Sequence, residues 1–172
     1  MIAIAAVDKN WAIGYKGELL ISLPEDQRGV FRVYTSGNTV VFGRKTLMTF
    51  KDQKLLPKRK NIILSRNPDF EKEGAVILHS TDELALYAEE HPDEKIFIIG
   101  GEQIYNTLID ICDEAIITRI KAEFTADAFF PNLDESDEWE LVEKEPEVMS
   151  EKGVAFDVCH YKRICKLHKT SV

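Results

Sequence analysis

Cysteine is scarce in this chain, and the scarcity closes several classes of function. Cys112, Cys159 and Cys165 are odd in number and have no CxxC spacing. That argues against a disulfide framework or a cysteine-based zinc site, and for free thiols in a reducing compartment, the cytoplasm. The four histidines, His79, His91, His160 and His168, are scattered without metal-ligand spacing, so no metal is assigned. Long apolar runs are missing. None approaches the roughly 18 residues of a membrane span, and the start, MIAIAAVDKN, lacks the basic region of a secretory leader. Positive charge is also short, with 22 Lys and Arg against 30 Asp and Glu, a net charge of −8. Nucleic-acid binders carry a basic domain or stripe, so neither nucleic acid nor a membrane is an expected partner.

What is present is a folding chain. Hydrophobic residues make up 44% of 172 positions, enough for one domain with a sizeable core. There is no repeat, low-complexity segment or linker. One domain is expected over 1–163, with a C-terminal extension over 164–172. IAIAAV at 2–7 is a continuous apolar run, the mark of a strand buried on both faces. A loop with Gly14 and Gly17 follows to residue 20. Pro24 suits a first helical position, with Glu25 and Asp26 in the first turn, and the helix is expected to reach about Thr35. Strands follow at 39–43, 61–65, 75–79, 95–99 and 114–120, interleaved with helices from 44, 81 and 102. The segments 139–145 and 154–162 alternate with period two and read as a final antiparallel pair joined through 151–153. Strand–helix alternation implies a mainly parallel sheet flanked by helices. Ligands of such sheets bind beyond the carboxyl ends of the strands.

Three segments sit at such ends. Gly43-Arg44-Lys45-Thr46 places two cations at a helix start, where free N–H groups favour phosphate. It also reads as an ordinary strand-to-helix turn. Gly100-Gly101 joins a buried strand to a helix and permits close backbone approach, although the G-x-G-x-x-G spacing is absent. In LLISLPEDQRGVF at 19–31, Asp26 and Glu25 lie among Leu19, Leu20, Ile21, Leu23, Val30 and Phe31. A carboxylate desolvated there has a raised pKa. Asp26 is the candidate, and Glu25 reads as a solvated helix-start charge.

Together these segments resemble dihydrofolate reductase. The matching stretches are AIAAVD and IG within 3–14, LPEDQ at 23–27, TVVFGRKT at 39–46, LPKRKNIILSR at 56–66, IFIIGGEQIY at 96–105, ITRI at 117–120 and Asp127 before the FFP at 129–131. The resemblance implies an eight-stranded, mainly parallel α/β sheet with an antiparallel C-terminal edge and about four helices. It implies reduction of 7,8-dihydrofolate with NADPH by a monomer.

Asp26 then resembles the active-site carboxylate that binds the pterin, and Thr118 the threonine that supports it. Ile4, Ala6, Ile21, Phe31 and Phe50 resemble the walls of the substrate pocket. Arg59 resembles the arginine that pairs with the glutamate α-carboxylate, a task suited to a bidentate fork. For NADPH the resemblance implies a site of Gly43, Arg44, Lys45, Thr46, Ser65 and Arg66, with Arg44 and Arg66 on the 2′-phosphate. Ile99, Gly100, Gly101, Glu102, Gln103, Ile104 and Tyr105 would surround the diphosphate, and Ala6, Ile13 and Gly14 the nicotinamide.

Two departures stand out. The family usually carries tryptophan where Ile21 stands. Its acid and aromatic wall usually lie four apart, whereas Asp26 and Phe31 lie five apart. Either Val30 takes the wall position or a π-bulge near Gly29 absorbs one residue. Two other readings share the cofactor signal: the pyrimidine reductase of riboflavin synthesis, which needs neither the LPED acid nor Arg59, and a non-catalytic NADPH-binding module.

Overall fold

The computed structural model describes residues 1–164, and residues 165–172 of the expected extension lie outside the described residues. In chain order the strands are β1 (Ile2–Val7), β2 (Ala12–Tyr15), β3 (Glu18–Leu19), β4 (Thr39–Gly43), β5 (Lys60–Leu64) and β6 (Ala75–Leu78). They continue as β7 (Ile96–Gly100), β8 (Glu114–Ile120), β9 (Ala128–Phe129), β10 (Trp139–Lys144), β11 (Val148–Met149) and β12 (Ala155–Arg163). The helices are α1 (Pro24–Asp26), α2 (Arg32–Thr35), α3 (Arg44–Thr49), α4 (Thr81–Glu90) and α5 (Glu102–Leu108).

The main sheet has the order β10-β12-β8-β1-β7-β4-β5-β6, with the short β11 added to β12. β8, β1, β7, β4, β5 and β6 pair in parallel, and β12 and β10 form the antiparallel edge. The continuous apolar runs explain the centre: Val40, Val41, Phe42, Ile62, Ile63, Ile98 and Ile117 have no exposed surface. Each such side chain contributes about 1.5–3 kcal/mol on burial. α4 starts as its sequence predicts, with Ser80 Oγ accepting from the Glu83 N–H at 3.1 Å.

Three expectations are corrected. The segment expected to be loop as far as residue 20 holds β2 and β3, and β2 also pairs with the distant β9 to make a second, three-stranded sheet. The expected final pair is β10 with β12, but β11 lies between them, so the turn at 151–153 joins β11 to β12. The helix expected over 24–35 is right-handed throughout but not α-helical throughout. Gln27–Phe31 forms a π-helical turn between α1 and α2, and the Arg32 N–H bonds back to the Gln27 carbonyl. Counting this segment as one helix leaves four helices against the sheet.

Candidate active site

The π turn decides between the two arrangements the sequence left open. Its extra residue is absorbed between Asp26 and Phe31, and Gly29 within it meets nothing within 4 Å of where a Cβ would be. Val30 turns into the core and Phe31 stays half-buried at its border, alongside Ile21 and Phe50. The wall position is therefore open to Phe31.

Asp26 itself is half-buried. Its Oδ1 accepts a short hydrogen bond from Thr118 Oγ1 on β8. Burial pushes the Asp26 pKa up, and the Thr118 hydroxyl opposes that rise only in part. Register places Ala6 of β1 directly beside Thr118. Two residues back, the Ile4 carbonyl accepts from the Tyr105 hydroxyl at 2.7 Å. Tyr105 is buried, and burial raises its pKa far above the usual phenol value, so the hydroxyl stays protonated as a donor. Asp26, Thr118, Ala6, Ile4 and Tyr105 thus meet at the centre of the sheet.

Arg59 lies at the far end of the same apolar surface. Its guanidinium lies over the Phe31 ring at 5.6 Å. Nε donates to Thr35 Oγ1 at 2.9 Å and Nη1 to the Pro57 carbonyl at 2.8 Å. Nη2 has no partner among the described residues. Phe50 packs on Phe42 with ring centres 5.1 Å apart. The apolar walls, Ile4, Ala6, Ile21, Phe31 and Phe50, therefore lie in one cluster between an acid and a fixed cation.

A second group gathers at the carboxyl ends of β5, β4 and β7. Gly43 pairs with Leu64, and Phe42 with Gly100. Arg44 and Lys45 are therefore flanked by Ser65 and Arg66 on one side and by Gly100-Gly101 on the other. The Gly100–Gly101 peptide is cis. Neither α3 nor α5 has a side-chain cap, since both caps are glycine, which leaves first-turn N–H groups for a ligand. The backbones approach closely. A Cβ on Gly43 would come within 2.9 Å of Ile104 Cγ1, one on Gly100 within 2.9 Å of the Tyr105 ring, and one on Gly101 within 3.4 Å of Thr46 Oγ1. This bare cradle beside Arg44, Lys45 and Arg66 fits a phosphorylated dinucleotide such as NADPH.

The family model for dihydrofolate reductase matches residues 1–163. The chain belongs to the dihydrofolate reductase family. The Bacillus subtilis dihydrofolate reductase is 38% identical over 150 residues, covering 87% of this chain and 86% of that one. The Neisseria gonorrhoeae dihydrofolate reductase is 37% identical over 159 residues, covering 92% and 94%. A solved structure of the Enterococcus faecalis dihydrofolate reductase, complexed with NADP(H) and RAB-propyl, superposes with a TM-score of 0.84 at 37% identity over 94% of this chain and 95% of that one.

Within this dihydrofolate reductase fold, two supports of the site were not foreseen, and the expected residues take the places that follow. Thr35 and Pro57 fix Arg59. Ile13 and Gly14 lie on β2, which is held to the 127–129 segment: the Asp127 N–H donates to the Gly14 carbonyl at 3.1 Å, and the Asp127 carboxylate accepts from the Lys16 N–H at 3.0 Å. Glu102 accepts from the Phe129 N–H at 2.9 Å, so its carboxylate ties α5 to β9. Gln103 is exposed, Ile99 and Ile104 are half-buried, and Ser65 is buried with its carbonyl 2.8 Å from His79 Nδ1. Arg44 lies over the Phe70 ring at 5.8 Å. Glu25 is a correction. It is half-buried, and its Oε1 accepts from the Glu151 N–H at 2.5 Å, which ties α1 to the β11–β12 turn. That backbone donor lowers the Glu25 pKa.

Proposed function

We propose that Asp26 is the acid that binds and polarises the pterin as this chain reduces 7,8-dihydrofolate to 5,6,7,8-tetrahydrofolate with NADPH, the reaction of its family. The observation that carries the proposal is the desolvated Asp26 carboxylate, hydrogen-bonded to Thr118 and facing no cation among the described residues. Bound NADPH supplies the hydride.

Asp26 accepts from the pterin N3–H and 2-amino group, fixes the ring tautomer and favours the ring protonated at N5. Its raised pKa brings proton binding closer to neutral pH, where an acid is useful. Thr118 orients the carboxylate. Ile4, Ala6, Ile21, Phe31 and Phe50 exclude water from the ring and the benzoyl group, and Arg59 clamps the glutamate α-carboxylate with its fork. Arg44 and Arg66 hold the 2′-phosphate, and Gly43, Lys45, Thr46 and Ser65 complete the NADPH site around them. Gly100, Gly101, Gln103 and the residues around them hold the diphosphate, and Ile13 and Gly14 border the nicotinamide. The presence of both Asp26 and Arg59 argues against the pyrimidine reductase reading. Two free cysteines, Cys112 and Cys159, are buried, which suits a reducing cytoplasm. Among the described residues no helix is long and apolar enough to cross a membrane.

The test is direct. Purified protein is mixed with NADPH and dihydrofolate and the absorbance of both is followed. Stoichiometric loss of both supports the reading, and no NADPH oxidation refutes it.

A further inference from the structure

Arg44, the cation that opens α3, has an aromatic neighbour to which the cofactor reading gives no role. Its guanidinium lies over the Phe70 ring at 5.8 Å, within the roughly 6 Å at which the negative face of a ring attracts a cation. No carboxylate competes for it. Asp69 and Glu71 flank Phe70 in sequence, yet Arg44 forms no ion pair among the described residues.

The turn after β5 brings the ring there. Ser65 is buried at the end of the strand, and its N–H donates to the Leu78 carbonyl at 3.0 Å. Its hydroxyl accepts from the Asn67 N–H at 3.3 Å. The Asn67 side chain accepts from the Asp69 N–H at 3.1 Å, and the Asn67 carbonyl from the Phe70 N–H at 3.2 Å. Side-chain bonds of this kind close a chain into a tight turn. They fold 65–70 back towards the end of β4, where Gly43 pairs with Leu64. Phe70 is half-buried against the cluster that holds Phe42 and Ile63, which anchors the ring.

A ring face attracts a guanidinium without neutralising it and leaves its N–H fork free, which a carboxylate does not. It also restrains an exposed side chain that otherwise loses rotamer freedom on gripping an anion. We propose that Phe70 is a positioning residue for cofactor selectivity, its ring holding Arg44 ready for the 2′-phosphate of NADPH. The inference rests on the reading of Arg44 as a ligand of that phosphate.

The experiment measures Kd for NADPH and NADH by fluorescence titration. Phe70→Leu keeps an apolar residue against the core and removes the ring face. The expected Kd for NADPH rises about twofold to fivefold, the range of an exposed cation–π contact, and Kd for NADH changes little. Pentafluorophenylalanine in place of Phe70 keeps the ring's shape, cancels its negative face and gives the same result, whereas Phe70→Tyr retains the affinity for NADPH. In an Arg44→Ala background, Phe70→Leu has no further effect on either cofactor. An unchanged Kd for NADPH in Phe70→Leu overturns the proposal. So does equal weakening of both cofactors, or a loss that persists without Arg44. Arg44→Ala weakening NADPH no more than NADH overturns instead the phosphate reading of Arg44, and the basis of the proposal with it.

Discussion

Thr118 Oγ1 donates to Asp26 Oδ1 across 92 residues of sequence, joining the middle of the sheet to the first turn of a helix. The bond has a definite electrostatic sense. Burial raises the Asp26 pKa and the Thr118 hydroxyl lowers it. Replacing Thr118 with Val keeps the β-branched shape and removes the donor. The Asp26 pKa then rises further, so the pH profile of turnover moves to higher pH. A buried acceptor left without its donor costs about 1–3 kcal/mol. KM for dihydrofolate rises, while NADPH affinity, measured by fluorescence titration, stays unchanged.

The same carboxylate links pH to stability. Its folded pKa lies above its unfolded value, so the folded state holds more protons in the interval between them. Stability contributed at Asp26 is therefore lost as pH rises through that interval, from the ordinary aspartate range upward. Asp26→Asn carries no such charge. Urea midpoints of this variant and the unaltered protein should differ by a constant amount at acid pH, and the variant should gain progressively as pH rises towards neutrality.

Arg44 and Arg66 flank the glycine cradle from adjacent strand ends. Both are exposed, so neither is expected to matter for folding. The double variant Arg44→Ala, Arg66→Ala should raise KM for NADPH about tenfold or more, two charge-assisted contacts to a phosphate being lost. KM for NADH, which lacks the 2′-phosphate, should change little. An equal effect on both cofactors would place the phosphate elsewhere.

Gly29 lies in the π turn with open space where a Cβ would stand and without a positive φ. Gly29→Ala should therefore stabilise the protein by up to about 1 kcal/mol, through the backbone entropy that glycine loses in a helix. For a chain of this size that is a rise of about 2–4 °C in Tm, with KM for dihydrofolate unchanged because Asp26 and Phe31 keep their places.

The sheet was legible because strands buried on both faces leave unbroken apolar runs, as IAIAAV and TVVFG do. The π turn was legible only as a surplus residue between Asp26 and Phe31, a count that gains meaning from the family spacing. β2 and β3 were not legible. They are four and two residues long, too short for a period to show, and β2's second partner, β9, lies more than a hundred positions away, so local pattern cannot reveal that pairing. Glu25 was misread for a related reason. An acid in a helix's first turn is usually solvated, and only the folded chain brings the Glu151 N–H to it. The Thr35 support of Arg59 likewise depends on tertiary contact across 24 residues.

The central claim is that Asp26 carries the chemistry on the substrate side. The most direct measurement is steady-state turnover of Asp26→Asn on dihydrofolate at neutral pH, with NADPH binding measured on the same sample. The account predicts turnover lower by about 100-fold or more, the scale of a lost general acid, with NADPH affinity retained. Turnover equal to that of the unaltered protein would contradict it.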